Sequence, residues 1–523
     1  MKKILGAAAA ILIILVAGLV GWLYPREDIP RPPDGVSVDA FEEIPTAFAH
    51  RWTNEQTFPF LGAAVIDVDG DERMEVFVGG AAGQPDVLLH YQNGTLVDRI
   101  AGTGLSDTTA TYGATSIDLD DDGDTDLLVA RHDGVYLYRN DAAVFTRERL
   151  PVTLDAEAVP FTVAVSDIDR DGDLYISAFV DIKVFKSATF NDPNHAKQNV
   201  LLRNDGDGFT DITEASGTAG LQNTFLSVFV DLNGDGWQDL VLAQNTGEVE
   251  LFRNRGDASF EAVPTDTGYG FWMSLAVGDV DNDGDQDLFF SNAGNSVPLF
   301  LLRGDLRDDQ RLETNWRLLR NDGDFTFTDV SEAYGLRGFA FAWGAVFEDL
   351  NLDGHLDLLV AQNYIKLPMF KLRKVPGKAM LQVPRAGGGG FYHLDEWGLN
   401  NAFFAHAPLI ADFDGDARPD VLWLNMDAPA RAFLNKTHGN VVTVALSDDV
   451  ATLGTRVRVE TPDGGRYTKQ AVTSVGFMTD QTSKLFFGLG ATTGPATIIL
   501  EHPDGTTTVM DSVAINQSVK VGF

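Results

Sequence analysis

The chain has 523 residues, enough for two or three domains, and its 44% hydrophobic and 10% aromatic content is that of a folded protein. A formal net charge of −37 leaves no basic stripe to neutralise phosphates, which excludes nucleic-acid binding. With no cysteine, disulfides, thiolate metal sites, a Cys nucleophile and a lipidated N-terminal Cys are excluded too.

The first element in chain order is an uncharged apolar run over residues 4–24, preceded by Lys2 and Lys3. At about 20 residues such a run can cross a bilayer as a helix, and Trp22, Leu23 and Tyr24 close it as interfacial aromatics do. An uncleaved signal anchor is expected over residues 1–24, with a cleaved signal peptide as the alternative. Either way the two lysines stay in the cytosol and the rest is exported, periplasmic or extracellular, where calcium is often millimolar. Contact with a membrane is expected through this segment only. Pro25, Pro30, Pro32 and Pro33 make residues 25–45 a stiff, extended linker.

From residue 46 a short acidic string returns seven times. The copies are DVDGDERME (67–75), DLDDDGDTD (118–126), DIDRDGDLY (167–175), DLNGDGWQD (231–239), DVDNDGDQD (279–287), DLNLDGHLD (349–357) and DFDGDARPD (412–420). Oxygen-bearing side chains fall at positions 1, 3, 5 and 9. A hard divalent cation needs about six to eight oxygens converging on one point, and alternate residues of a tight loop can supply them while glycine permits the turn. The candidate ligands are Asp67, Asp69, Asp71 and Glu75; Asp118, Asp120, Asp122 and Asp126; and Asp167, Asp169 and Asp171. They continue with Asp231, Asn233, Asp235 and Asp239; Asp279, Asp281, Asp283 and Asp287; Asp349, Asn351, Asp353 and Asp357; and Asp412, Asp414, Asp416 and Asp420. Calcium is the expected cofactor, up to one ion per loop. The third loop is the weakest, because Tyr175 stands where the last acid belongs, as though two residues were missing after Asp173. In the first and seventh, Glu72 and Ala417 replace the usual glycine, while Gly70 and Gly415 sit two residues earlier. An EF-hand is excluded, since it needs a Glu at position 12 and flanking helices.

Each acidic string lies between two short apolar runs, and further on comes a third signature: LYRN ending at Asn140, LLRN at Asn204, LFRN at Asn254, LLRN at Asn321, and FLNK through Asn435. Four short strands per unit of about 50 residues is the pattern of a β-propeller blade, which must stack on its neighbours to bury its faces. An all-β fold is therefore expected, with a seven-bladed propeller over residues 46–437 and the acidic loops on one rim.

Three insertions break the rhythm, at 183–198, 297–316 and 364–406. The third carries basic KLRKVPGK (371–378), glycines 387–390 and the aromatics Phe391, Tyr392 and Trp397. Long loops on a rigid scaffold often carry function, so an unknown protein or glycan ligand is expected at 297–316 and 364–406, the alternative being straps between blades. Arg303-Gly304-Asp305 spells a cell-attachment tripeptide, a string that chance produces easily. His355 and His406 read as ordinary loop or rim histidines.

Residues 438–523 alternate or run apolar in short bursts such as VVTVAL and RVRVET, with near-duplicate turns TPDGGR (461–466) and HPDGTT (502–507). A small β-sandwich docked on the propeller is the simplest expectation.

These features together resemble a known group. The repeats are similar to the FG-GAP/VCBS type, also found in integrin α-subunit propellers. The C-terminal stretch resembles the ASPIC/UnbV domain through GTRVRV (454–459), SVGFMTDQ (474–481), FFGLG (486–490), HPDG (502–505), Asn516 and Gln517. His502 stands where that domain usually has Trp. The combination resembles the cartilage acidic protein family in a bacterial-type secreted form. The resemblance implies that the loop positions named above are calcium ligands, and it implies no assigned chemistry.

The chain has no GxSxG, HExxH or phosphate-cradling motif. An exported calcium-binding propeller acting as an adhesion or ligand-binding module is the reading the sequence favours. The alternatives are an extracellular polysaccharide-acting enzyme, which a cluster of acids or histidines in the central pocket would favour, and a periplasmic assembly or maturation factor.

Overall fold

The computed structural model describes residues 27, 30, 32–34, 36, 38–169, 172–206, 208–295, 297, 299–363, 375–385 and 389–521. The apolar run 4–24, Asp171 and residues 371–374 of the basic string lie outside the described residues. Among the described residues no helix is long and apolar enough to cross a membrane.

Among the described residues, 42–434 build seven sheets in chain order, each with a path of four antiparallel strands; Thr479–Asp480 joins the first and Gly270–Phe271 the fourth as a fifth strand. The second is typical: Thr111–Ile117, Asp126–Arg131, Gly134–Asp141 and Val144–Arg149, each hydrogen-bonded to the next. Its first two strands are buried along their whole length, whereas Val144–Arg149 is almost wholly exposed. The inner strands are packed on both faces by neighbouring sheets, so they read as continuous apolar runs without polar alternation.

Neighbouring sheets share cores all the way round. Phe77 and Leu88 of the first pack with Leu127 and Val129 of the second. Leu128 and Leu137 pack with Val163 and Ile176 of the third, and the pattern repeats through the sixth. Leu359 and Leu381 of the sixth meet Ile410 and Val421 of the seventh, and Leu409 and Leu422 of the seventh return to Val65 and Val76 of the first. The result is a closed, propeller-like ring.

Closure uses a segment expected to be linker. Glu42–Ile44 pairs antiparallel with Arg431–Leu434, so the outermost strand of the last sheet comes from upstream of the first. Glu27 is likewise held. Its carboxylate pairs with Lys378 and accepts from Gln362 Nε2 (2.6 Å) and the Ala340 amide (2.9 Å). Both charges are buried, so this contact pins the chain where it enters the ring.

The C-terminal unit is two sheets around one core. Asn440–Leu446 lies between Lys484–Gly490 and Gln517–Val521, and the second sheet runs Arg466–Gln470, Arg456–Glu460, Ala496–Glu501, Thr507–Val513. Val442, Val444, Val457, Val459, Phe487 and Ile498 fill the space between them.

The insertions differ from expectation. Lys378–Gln382 and Phe391–His393 are the third and fourth strands of the sixth sheet, and Phe391, Tyr392 and Trp397 are buried. Those aromatics are core and are not available to a partner. The first two insertions strap each other: the Asp305 carboxylate accepts from the amides of Phe190 (2.6 Å) and Asn191 (3.1 Å). The acid of the Arg-Gly-Asp string is thereby engaged within the chain, at the surface.

Candidate metal centre

Each acidic string joins the first strand of a sheet to the second, which brings all seven to the same end of the ring. The first residue folds the loop. Asp279 accepts from the amides of Asp283 (3.0 Å) and Gly284 (2.9 Å), and Asp67, Asp118, Asp349 and Asp412 bind the same two positions in their loops. Positions 4 and 6 both take left-handed φ, in pairs such as Gly70 with Glu72, Asn282 with Gly284, and Gly415 with Ala417. The glycines at 70 and 415 therefore relieve one of two strained positions, and Glu72 and Ala417 carry the other.

The acid at position 9 ties each loop to its sheet. Asp287 accepts from the amides of Val280 (2.9 Å) and Asn321 (2.8 Å); Asp239 from Leu232 (3.0 Å) and Asn254 (2.9 Å); Asp420 from Phe413 (2.8 Å) and Asn435 (2.7 Å). Asp126 and Asp357 do the same with Leu119 and Asn140, and with Leu350 and Gln382. In the first loop the longer Glu75 accepts from the Val68 amide (3.3 Å) and meets His90 Nδ1 (2.7 Å).

The third loop corrects the sequence reading. Asp173, not a residue at position 9, opens the second strand and accepts from the amides of Ile168 (3.0 Å) and Asn204 (3.0 Å). The loop is two residues shorter and its last acid is present. The signal was the strand start: Asp173 pairs with Ser166 as Asp126 pairs with Ile117. Of the other expected ligands there, Asp167 and Asp169 lie in the loop, and Asp171 lies outside the described residues.

The recurrent Arg-Asn signature serves these loops. The Asn321 side chain donates through Nδ2 to the Leu232 carbonyl of the preceding sheet's loop (2.8 Å), and Asn140 and Asn435 reach Val68 and Leu350 in the same way. The adjoining basic groups face loop acids: Arg139 toward Asp120, Arg320 toward Asp281 (4.0 Å), Lys436 toward Asp414 (2.7 Å).

Carboxylate oxygens converge within 4.8 Å of one another at positions 1, 3 and 5 of the first two loops (Asp67, Asp69, Asp71; Asp118, Asp120, Asp122). They do so at positions 1, 3 and 9 of the fifth and seventh (Asp279, Asp281, Asp287; Asp412, Asp414, Asp420). In the fourth and sixth, Asn233 and Asn351 bond to Asp235 (2.8 Å) and Asp353 (2.9 Å), drawing positions 3 and 5 together. Burial pushes Glu75, Asp239 and Asp287 up to about 8 and Asp126 and Asp279 to about 7. Asp349, Asp357 and Asp420 are raised well above the ordinary carboxylate range for the same reason, with neighbouring acids adding to it. Asp281 Oδ1 and Asp414 Oδ1 are buried with no hydrogen-bond partner among the described residues. Crowded buried carboxylates with unpartnered oxygens fit a hard divalent cation.

The C-terminal unit sits on this same rim. The Asp118 amide donates to the Asp448 carbonyl (2.9 Å), Asp231 N to Gln470 Oε1 (2.9 Å) and Ile410 N to Gln481 Oε1 (2.9 Å). Lys484 Nζ donates to the Glu72 carbonyl (2.8 Å), Arg456 to that of Gly284, and Gly490 N to that of Leu352 (2.7 Å). A Cβ at Gly488 would lie 2.0 Å from Asp349 Oδ2, so only glycine fits that contact. The segment 474–481 goes deeper. Thr479–Asp480 adds a parallel strand to Ala63–Ala64, and the buried Asp480 accepts from Ser116 N (2.9 Å) and Ser474 N (2.7 Å). Phe477, fully buried, enters the axis among Phe60, Phe225, Trp343 and His406, at ring separations of 5.5, 5.6, 5.4 and 4.9 Å. His406 is thus a core residue and not a rim one.

A ring of repeats with acidic loops and a second domain plugged into them defines the class. The FG-GAP-like repeat family matches residues 67–129, 118–176, 231–290 and 300–360, and the ASPIC and UnbV family matches 448–522. The chain belongs to the FG-GAP-like repeat proteins that carry an ASPIC and UnbV domain.

Within that class it is a distant homologue of Cartilage acidic protein 1. It is 23% identical to the Xenopus tropicalis protein over 354 residues (60% of this chain, 48% of that protein) and 24% identical to the Homo sapiens protein over 339 residues (60% and 47%). The chain spans about half the length of these curated relatives. Among solved structures, the BP39L lectin from Burkholderia pseudomallei is 12% identical, with 71% of this chain and 95% of that chain covered at a TM-score of 0.45.

Proposed function

We propose that the protein is an exported, calcium-binding, seven-bladed β-propeller that acts as an adhesion or ligand-binding module and is anchored by residues 4–24. The observation that carries this reading is the convergence of carboxylates in the first, second, fifth and seventh loops, each around a buried last acid raised in pKa, with unpartnered oxygens at Asp281 and Asp414. In each loop, positions 1, 3, 5 and 9, with Asp173 in the third, would hold the ion. The C-terminal unit rests on those loops, so bound cations would stiffen the face that carries it.

A binding role is favoured over polysaccharide chemistry by the axis. Phe60, Phe161, Phe225, Trp343 and Phe477 fill it, where a glycoside-cleaving enzyme would need a pair of carboxylates that a sugar can reach. Exported modules typically hold calcium with dissociation constants of about 10⁻⁴–10⁻³ M, so about 2 mM calcium would contribute roughly 0.6–1.8 kcal/mol per occupied loop.

The test is thermal unfolding in chelator and in about 2 mM calcium, with bound metal counted by elemental analysis. A large upward shift with near-stoichiometric ions per loop is expected. No shift and no bound metal would refute the calcium reading and leave the acidic loops as turns.

A further inference from the structure

We propose that the end of the ring opposite the acidic loops rests on a phospholipid bilayer, with Leu299, Phe300 and Leu301 entering the interface. This rests on the reading of residues 4–24 as an anchor.

The second insertion joins Asp287–Phe290 to Arg317–Asn321 at the end of the fifth sheet far from Asp287 and its loop. There the short helix Leu299–Leu302 buries Leu302 in the central core and leaves its other three side chains in solvent. Leu299 is 62%, Phe300 78% and Leu301 57% exposed. Among the described residues, large exposed apolar side chains are otherwise scattered singly, at Val144, Leu221 and Val509. Three together on one turn form a patch of the kind that marks an interaction surface.

What covers it is indicated by where the chain enters. Glu27 is pinned at this same end by Lys378, Gln362 and the Ala340 amide. The next residue back along that edge, Phe339, accepts from the Asn295 amide (2.9 Å), four residues before Leu299. Tyr24, the last residue of the apolar run, precedes Glu27 by three residues, a span of at most about 11 Å. A bilayer holding residues 4–24 therefore lies within reach of the patch, and the tether raises its effective concentration enough for a weak apolar contact to persist.

The flanking charges cancel in pairs, Arg303 with Asp308 (3.2 Å) and Arg307 with Asp309 (3.5 Å). A zwitterionic surface suits such a patch and no anionic lipid is required. In this orientation the C-terminal domain stands outermost, facing any partner.

The cysteine-free sequence permits a direct test. Full-length Phe300→Cys and, as control, Val509→Cys on the C-terminal domain are labelled with a polarity-sensitive fluorophore and reconstituted in phosphatidylcholine nanodiscs with or without spin-labelled lipid. Both sites are exposed, so folding is undisturbed. The expected result is a blue-shifted emission quenched by spin-labelled lipid at position 300 and neither effect at 509. A chain retained in the discs with both probes unquenched overturns the docking alone. A chain that does not stay with the discs overturns the anchor and the docking together.

Discussion

Phe477→Ala tests whether the C-terminal domain is part of the propeller core or an appendage to it. The Phe477 side chain is fully buried in the axis, with four rings within 5.6 Å: Phe60, Phe225, Trp343 and His406. Truncating a buried phenylalanine costs about 3–5 kcal/mol, in lost transfer energy and in the cavity left behind. The upper part of that range is expected, because rings from separate sheets line the site and cannot all collapse inward. Lost aromatic pairing would add about 0.5–1.5 kcal/mol for each well-oriented pair. Urea unfolding in calcium, followed by tryptophan fluorescence, would report the change, since Trp343 contacts Phe477 directly. Val509→Ala, at an exposed position of the same domain, should stay within about 0.5 kcal/mol of wild type. A Phe477→Ala loss below about 1 kcal/mol would refute the plug.

Three other outcomes are expected. Asp173→Ala should destabilise by about 2–4 kcal/mol, matching Asp126→Ala, because each leaves two backbone amides without acceptors; a near-neutral Asp173→Ala in chemical denaturation would show that the third loop is not built like the rest. In chelator, stability should fall as pH rises through about 7–8. Glu75, Asp239, Asp287, Asp126 and Asp279 have folded pKa values raised to about 7–8, so the folded chain binds more protons than the unfolded one above the ordinary carboxylate range, and that advantage is lost as these groups ionise. Millimolar calcium should flatten this decline in melting temperature, and a calcium-independent pH profile would count against cation binding at these acids. Glu27→Ala should cost about 3–5 kcal/mol by leaving the Lys378 ammonium buried and unpaired, and an unchanged denaturation midpoint would mean that the N-terminal segment does not lie across the ring.

The local order of this protein is written in its sequence because each repeat is a local object. Acids at alternate positions, a glycine or two, and an apolar run on either side specify a strand-loop-strand unit without reference to the rest of the chain. Repetition then dictates that such units stack, since none can bury its own faces. Tertiary structure decided what depends on distant partners. Asp173 substitutes for the missing ninth acid because strand pairing with Ser166, and not spacing within the loop, sets which residue faces the amides of Ile168 and Asn204. Glu42–Ile44 closes the ring because the outer edge of the last sheet needs a strand that no later residue supplies. Phe391, Tyr392 and Trp397 read as a partner surface in sequence, but strand pairing buries the first two and packing in the central core buries the third. The segment 474–481 is a polar-aromatic loop in sequence. Only with seven sheets gathered round one axis does its phenylalanine find a hole of the right size, and its aspartate three amide and hydroxyl donors, at Ser116 and Ser474. Short-range pattern determined the blades; the shared axis, made by all of them together, determined where the second domain goes.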